Sequence, residues 1–501
     1  MIKISKNSFE IYLFKNIWKQ NKNIIQNEFS KINSTYNDKD FTKIIFTDLY
    51  LEISMDHIGS CPLFYCKKNS KYHISDNANY LYEKYERFRF NRKAYDEIYS
   101  LKHTIGNKTL SKDIKIILSG EKVLFSQTRI KKKRTILFKK TNKKEDEIDD
   151  LKLKLKSIFN DVFDDLVDHL DKKKQIVIPL SGGYDSRLLA CLIRKRLPNK
   201  KIIAYTYGNS INSGEVLMSQ KVAKKLNFRW YFVHFNKNNI NSTISDRKFK
   251  SFLEYSMNLS YAPHCQEYFA IEYLINKNII SKKDTVIPGH SLDLVTGSRL
   301  TDKKLFDSRK KAVDYFFSLN AIRKYNKETK NSLNLEYKKL QEKKFELSET
   351  FDYLERQPKF ILNILRTYEF FDLYWRIPFW DTRIVKFFNS IDNKYREEQY
   401  LFKLVSKEIF YEFDLDMTRG ENLSKTTAIK WVKKNLPPNL RFQISKIVRF
   451  NLNNLLNLEK LSGIELSRKK NLIDSFYEDK KTSSVHGFFL DIALNEMNKK
   501  R

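Results

Sequence analysis

The chain is poor in residues that punctuate or cross-link a fold: 12 glycines, 9 prolines and 4 cysteines among 501 residues. With so little Gly and Pro and a hydrophobic share of 41%, low-complexity disorder is excluded as the main state, and a sizeable core is expected. The length suggests two to four domains. Cys61, Cys66, Cys191 and Cys265 show no paired metal-ligand spacing. That argues against a cysteine metal site or disulfide scaffold and suits reduced thiols in the cytoplasm. No run of about 18 apolar residues is present, so no transmembrane helix is expected. The opening "MIKISKNSFEIYLF" lacks the apolar core and cleavage site of a signal peptide.

Acidic residues are also scarce: 60 Asp and Glu face 94 Lys and Arg, a net charge of +34. Such a balance invites nucleic acid or an anionic membrane surface. The lysines, however, are spread along the chain beside many Asn and Ile, all with AT-rich codons, and that bias accounts for the charge without a specific nucleic-acid partner. The densest cluster, "IKKKRTILFKKTNKK" (130–144), reads as a solvated linker.

Residues 1–127 are predicted to be β-rich, from short alternating runs such as "FTKIIFTDLYLEISM". A basic linker is expected over 128–145. Ile148, Leu151, Leu155, Ile158, Val162, Leu166 and Leu170 then recur at three and four residues, which predicts an amphipathic helix. From "QIVIPL" the rhythm becomes strand and helix in alternation: "KIIAYTYG", "RWYFVHF" and "DTVIPG" are the further strands. That pattern predicts an open parallel α/β sheet, followed by a mostly helical region. The second domain is set at 146–435, with a helical extension over 436–501.

Between the first strand and its helix lies Ser181-Gly182-Gly183-Tyr184-Asp185-Ser186. Glycines let backbone approach a ligand closely. The N–H groups and dipole of the helix start favour an anion, and Ser181 and Ser186 add hydroxyls. Asp185 would repel bare phosphate, so its presence implies Mg²⁺ as a bridge. No G-K-[ST] ending follows, so this is not a Walker A loop, and G-x-G-x-x-G is absent.

The stretch resembles the S-G-G-x-D-S loop of N-type ATP pyrophosphatases, which cleave ATP between the α and β phosphates. "VIPGHSLDLVTGS" (286–298) is similar to the second signature of asparagine synthetases, with Gly289, Asp293 and Gly297 matching. The resemblance implies ATP and Mg²⁺, with Asp185 and Asp293 sharing the metal. Leu180, Ser181, Gly182, Gly183, Ser186, Thr206, Tyr207 and Gly289 would line the nucleotide and pyrophosphate site. The family has Glu where this chain has His290 and again where it has Leu294, which puts plain aspartate-to-asparagine chemistry in doubt. His290 is a candidate base near neutral pH; packing alone is the equal alternative. "WRIPFWD" (375–381) resembles the family's E-x-R-x-P-F-L-D, offering Arg376 as a substrate contact or as half of a buried pair with Asp381. "TRGENLSK" offers Arg419 and Lys425 for a phosphate-binding role.

The front residues resemble the class II glutaminase domain that precedes the synthetase domain in that family, through "MDHIGSCPLFYC" and "NKTLSKDIKIILSGEKVLFS". That implies an Ntn-hydrolase-like αββα sandwich ahead of an adenine nucleotide α-hydrolase-like α/β domain. The family's nucleophile is a cysteine directly after the initiator; here Ile2 stands there. No glutaminase activity is expected, and nitrogen would come as ammonia, an amine, or ammonia from a partner protein. The implied chemistry is ATP-dependent amide formation on a small-molecule, saccharide or peptide carboxylate: aspartate, or in preference a uronic acid of a surface polysaccharide or a peptide side chain. A nucleotide-binding pseudoenzyme and a tRNA-modifying enzyme with the same loop stay open.

Overall fold

The computed structural model describes residues 1–6, 8–15, 18–27, 42–85, 89–136, 147–300, 308–320, 326–340, 347–415 and 485–499. Arg419 and Lys425 therefore lie outside the described residues, as does most of the extension expected over 436–501.

The front unit contains β1 (Ile2–Ser5), β2 (Phe9–Leu13), β3 (Trp18–Asn21), β4 (Ile24–Asn27), β5 (Lys43–Phe46), β6 (Tyr50–Ser54), β7 (Phe64–Lys68) and β8 (Lys71–Ser75). Helices α1 (Ala78–Lys84) and α2 (Arg92–Leu101) follow, then β9 (Lys115–Ile116), β10 (Glu121–Ser126) and β11 (Ile130–Arg134). The strands form two sheets, ordered β1-β2-β8-β7-β9 and β11-β10-β6-β5-β4-β3. Alternation sets the facing: Ile44 and Phe46, Leu51 and Ile53, Val123 and Phe125 are buried. The sheets meet through rings, with Phe125 lying 5.2 Å from Tyr65 and 5.1 Å from Tyr72, and Phe9 lying 6.4 Å from Phe46.

The stretch read as a linker from 128 begins as a strand. β11 pairs antiparallel with β10 from Ile130 to Arg134. Its sequence, IKKKR, has no apolar period; besides the backbone ladder, Lys132 reaches the Tyr65 hydroxyl at 2.8 Å and Arg134 donates to the Ser119 and Leu354 carbonyls. Lysines on an edge strand also discourage further strand addition.

The rear unit runs α3 (Ile148–Asp168), β12 (Ile176–Pro179), α4 (Tyr184–Arg196), β13 (Ile202–Gly208), α5 (Gly214–Lys225) and β14 (Arg229–His234). It continues through α6 (Lys237–Ser245), α7 (Arg247–Met257), α8 (Gln266–Asn276), β15 (Thr285–Val286) and α9 (Leu292–Thr296). Next come α10 (Arg309–Asn320), α11 (Lys327–Lys339), α12 (Leu347–Phe351), a π-helix (Asp352–Ile361), α13 (Leu365–Phe370), β16 (Tyr374–Trp375), α14 (Thr382–Ser390), α15 (Tyr400–Tyr411) and α16 (Val485–Lys499). The third sheet is fully parallel, ordered β14-β13-β12-β15-β16. Ile176, Val177 and Ile178 are all buried, as a strand covered on both faces requires. The predicted helix is α3, which buries Leu151, Leu155, Phe159, Val162, Phe163 and Leu166.

The two units are joined by buried polar contacts. The Asp56 carboxylate accepts from Ile58 N–H, Ser60 N–H and the hydroxyls of Thr42 and Ser60, so this carboxylate organises a turn. From that turn His57 Nδ1 meets the Tyr353 hydroxyl at 2.7 Å, and the Ser60 carbonyl accepts from Arg366 at 2.7 Å. Lys359 donates to the carbonyls of Thr104 and Gly106 and pairs with Glu355. Burial opposes ionisation of Glu355, but Lys359 and Arg134 outweigh it and hold the carboxyl down to about 2.

Candidate functional site

In the parallel sheet β12 is central, β13 and β14 lie to one side, and β15 and β16 to the other. Chain direction across the sheet therefore reverses between β12 and β15, and ligands of open α/β sheets bind beyond the carboxyl ends at such a point. The segments leaving those two strands are the glycine loop Leu180–Gly183 and the second signature, Pro288–Thr296.

The first loop is closed on itself by hydroxyls. Ser181 N–H donates to Ser186 Oγ at 3.1 Å, Gly183 N–H donates to Ser181 Oγ at 3.2 Å, and the two hydroxyls lie 2.9 Å apart. Buried Arg187 clamps the loop from below, donating to the Gly182 carbonyl at 2.9 Å. Gly183 is the N-cap of α4 and supplies no side-chain cap, and the first turn of a helix directs its N–H groups toward that end. Donors, hydroxyls and the positive helix end together suit a phosphate group.

The second loop is pressed onto the first. A Cβ on Gly289 would lie 2.8 Å from Ser186 N and 2.9 Å from its Cα. Asp293 N–H donates to Asp185 Oδ2 at 3.1 Å, and Asp293 Oδ2 accepts from the Ser298 hydroxyl at 3.1 Å. Gly297, at φ +108°, ends α9 against the backbone of Arg396, where any Cβ would collide with the carbonyl. Asp185 and Asp293 are thus neighbours where the two loops meet. Two carboxylates fit Mg²⁺ in the usual phosphate-bridging manner, since it retains several waters and takes other oxygens from the substrate. Among the described residues, no group of three His, Cys, Asp or Glu is placed to hold a metal without such help. Gly289→Ala is expected to separate the loops. Overpacking of about 1–3 kcal/mol corresponds to roughly a 5- to 150-fold loss of nucleotide affinity, with the fold kept; titration of Mg·ATP checks it.

Leu180 and Thr206 are tied together. Leu180 N–H donates to the Tyr205 carbonyl at 2.9 Å, and its own carbonyl accepts from Thr206 Oγ1 at 2.7 Å. Thr206 Oγ1 also meets Ser219 Oγ and the Trp230 indole N–H, so the threonine side chain is spent inside the fold. Tyr207 stacks on Phe235 at 4.8 Å and donates to Glu267 at 3.1 Å. Glu267, bonded also to the Tyr205 hydroxyl, was missed in the sequence: burial pushes it up to about 7 while the two tyrosines oppose the rise. Its one signal is a carboxylate at the start of the largely apolar helix QEYFAIEYLIN, which carries a second one at Glu272.

His290 does not stand near neutral pH as a base. Burial pushes its imidazole down to about 4, and Nε2 is buried without a hydrogen-bond partner among the described residues. At pH 7 it is neutral and a weak base, though an anion set against it would raise its affinity for a proton. Next to it Ser291, at φ +68°, donates to Gln357 Oε1 at 2.6 Å. His103 is likewise buried and pushed down to about 4, by burial first and Lys359 second. Both shifts run below the usual 6.5, so below pH 6.5 the unfolded chain binds protons that the fold refuses. Stability is expected to fall as pH drops from 6.5 to 4, by at most about 1.4 kcal/mol per pH unit per imidazole. Denaturant unfolding at pH 7 and 5 tests this, and His103→Gln should flatten the slope.

Arg376 lies at the carboxyl end of β16, its N–H on the Val286 carbonyl at 3.0 Å. It is half-buried, and its Nη1 donates to the Trp375 carbonyl at 2.9 Å. Asp381 caps α14 and binds the guanidinium of Arg383 at 3.0 Å, so Arg383 is the partner shown for the carboxylate that the motif suggested for Arg376. In the front unit Cys61 and Cys66 are buried, and burial first pushes each thiol up to about 12, far from a nucleophilic thiolate.

No family model matches the chain, and no curated protein matches it. Among solved structures it is similar to a U34-tRNA thiolase from Methanococcus maripaludis, described with its 4Fe-4S cluster. That match covers 63% of this chain and 76% of the thiolase, at 14% identity and a TM-score of 0.23. A likeness of that size carries no argument about chemistry.

Proposed function

We propose that the chain is an ATP-dependent amide-forming ligase of the asparagine synthase type. One observation carries this reading: two glycine loops meet at the switch point of the sheet, Gly289 against Ser186 and Asp293 against Asp185. In the proposed reaction a substrate carboxylate oxygen attacks the α-phosphorus of ATP, and pyrophosphate leaves toward Ser181–Ser186. A nitrogen nucleophile then attacks the acyl-adenylate carbonyl, forming the amide and releasing AMP. Mg²⁺, held by Asp185 and Asp293, would neutralise the departing phosphates. The loop and the helix start position the triphosphate for in-line attack. Neutral His290 and Arg376 are the candidate groups for orienting the acyl carbonyl, and Lys425 remains a candidate for the phosphates. The acceptor is proposed to be a uronic acid or peptide side chain in preference to free aspartate, because His290 replaces the family's Glu. The front unit serves as a scaffold, with nitrogen arriving as ammonia or an amine.

The test is Mg²⁺-dependent exchange between ATP and labelled pyrophosphate across a panel of carboxylic acids. Exchange with at least one acid is expected. Binding of ATP with no exchange for any acid would support the pseudoenzyme reading. AMP formation that depends on tRNA would support the tRNA-modifying one.

A further inference from the structure

We propose that the acid site beside the second glycine loop takes a carboxylate bearing a second anionic group, and that the front unit supplies its central cation, Lys102. This rests on the ligase reading above.

The site is organised by the π-helix Asp352–Ile361, a rare element that is frequent at functional sites. Around the Phe360 ring lie Lys102 Nζ at 4.7 Å, the Arg356 guanidinium at 6.0 Å and the His264 ring at 5.1 Å. Arg356 pairs with Asp352 at 3.2 Å, and Arg299 stands 3.8 Å from the same carboxylate. Gln357 donates to Asp352 at 2.8 Å and accepts from Ser291. The cationic cluster is therefore one hydrogen-bonded relay from the loop that carries His290 and Asp293.

The charges do not balance. Asp352 answers two guanidiniums, and among the described residues the Lys102 ammonium has no carboxylate or hydrogen-bond partner. Burial, with Arg356 and Arg299 adding to it, pushes Lys102 down to about 7. An ammonium beside two guanidiniums is costly unless an anion joins them. Among the described residues, Nε2 of fully buried His103, the next residue to Lys102, and Nε2 of His290 are also without partners. Buried polar atoms without partners are rare in a completed structure.

The backbone of Lys102 supports the assignment. It is the left-handed C-cap of α2, at φ +74°, a place where helices favour glycine or asparagine. Its carbonyl accepts from Ala262 N–H at 2.8 Å, and His103 bridges to Tyr261. These bonds fix the lysine against the segment that carries His264.

Calorimetry on the full chain tests the proposal with D-glucuronic acid 1-phosphate, glutarate, the monoanion glucuronate, and Mg·ATP. Glucuronic acid 1-phosphate and glutarate, dianions in the sense of bearing two anionic groups, are expected to bind at least about tenfold more tightly than the monoanion. Lys102→Gly, which relaxes the backbone while removing the amine, should cost the dianions about tenfold or more and leave Mg·ATP unchanged. Lys102→Arg should retain most of the affinity. Preference for the phosphate or for the second carboxylate identifies the anion. Equal binding of mono- and dianions overturns the proposal. So does unchanged dianion affinity in Lys102→Gly, or a loss in that variant that falls on Mg·ATP instead. Dianion binding through Lys102 in a chain that binds no Mg·ATP supports the site and overturns the ligase reading.

Discussion

Asp185→Ala is expected to lower Mg²⁺-dependent ATP–pyrophosphate exchange by about 10²–10³-fold or more, the scale of losing one charge-stabilising contact in a closed site. The fold should survive. Asp185 is only half-buried, in the first turn of α4, where an acidic residue contributes about 0.3–1 kcal/mol through the helix dipole. Asp185→Asn separates two roles. Its amide oxygen can still accept the Asp293 N–H that bridges the loops, but it lacks the charge that binds a cation. Loss of exchange in both variants assigns the charge; activity retained in Asp185→Asn would reduce Asp185 to a loop bridge.

The largest expected stability effect lies away from the chemistry, at Glu369. Its carboxylate receives Lys15 at 2.7 Å, Arg366 at 2.9 Å, the Tyr255 hydroxyl at 2.8 Å and the Trp375 indole at 3.3 Å. The Lys15, Glu369 and Arg366 side chains are 6%, 4% and 3% exposed, so no water replaces a lost partner. Glu369→Ala would strand two buried cations between the front unit, α13 and β16. Removing one member of such a group costs about 3–5 kcal/mol, read as a shift of the denaturant midpoint. Burial works against the Glu369 charge, but Arg366 and Lys15 outweigh it and hold its pKa below 4.5. Its contribution is therefore full above pH 4.5 and is lost as pH falls through the folded value. A smaller midpoint shift, equal to that of a surface Glu→Ala change, would contradict the hub.

How much of this could be read beforehand depended on where each signal lies. Ser181–Ser186 is six contiguous residues between a buried apolar run and a helix, so both strand and turn were legible. α3 was legible because seven apolar residues keep helical spacing. β15 was legible as the apolar run in DTVIPG, but β16 is a two-residue strand, too short for any periodicity, and emerged only where Thr285 and Val286 pair with Tyr374 and Trp375. β11 is lysine in three of five positions, so charge hid a strand that its backbone ladder and the tertiary partners of Lys132 and Arg134 hold. The π-helix spans a Pro within DYLERQPKFI, which reads as a break. Lys102 lies some 250 residues from the ring it covers, and only tertiary packing brings them together. His290 was found by position, but its titration depends on burial, which a motif does not display.

Crystals soaked with Mn²⁺ and pyrophosphate, examined by anomalous scattering, test the central claim most directly. One manganese bound jointly by the Asp185 and Asp293 carboxylates is the expected result, with pyrophosphate on the amides of Ser181–Ser186. A metal held by neither aspartate, or pyrophosphate lodged elsewhere in the molecule, would contradict it.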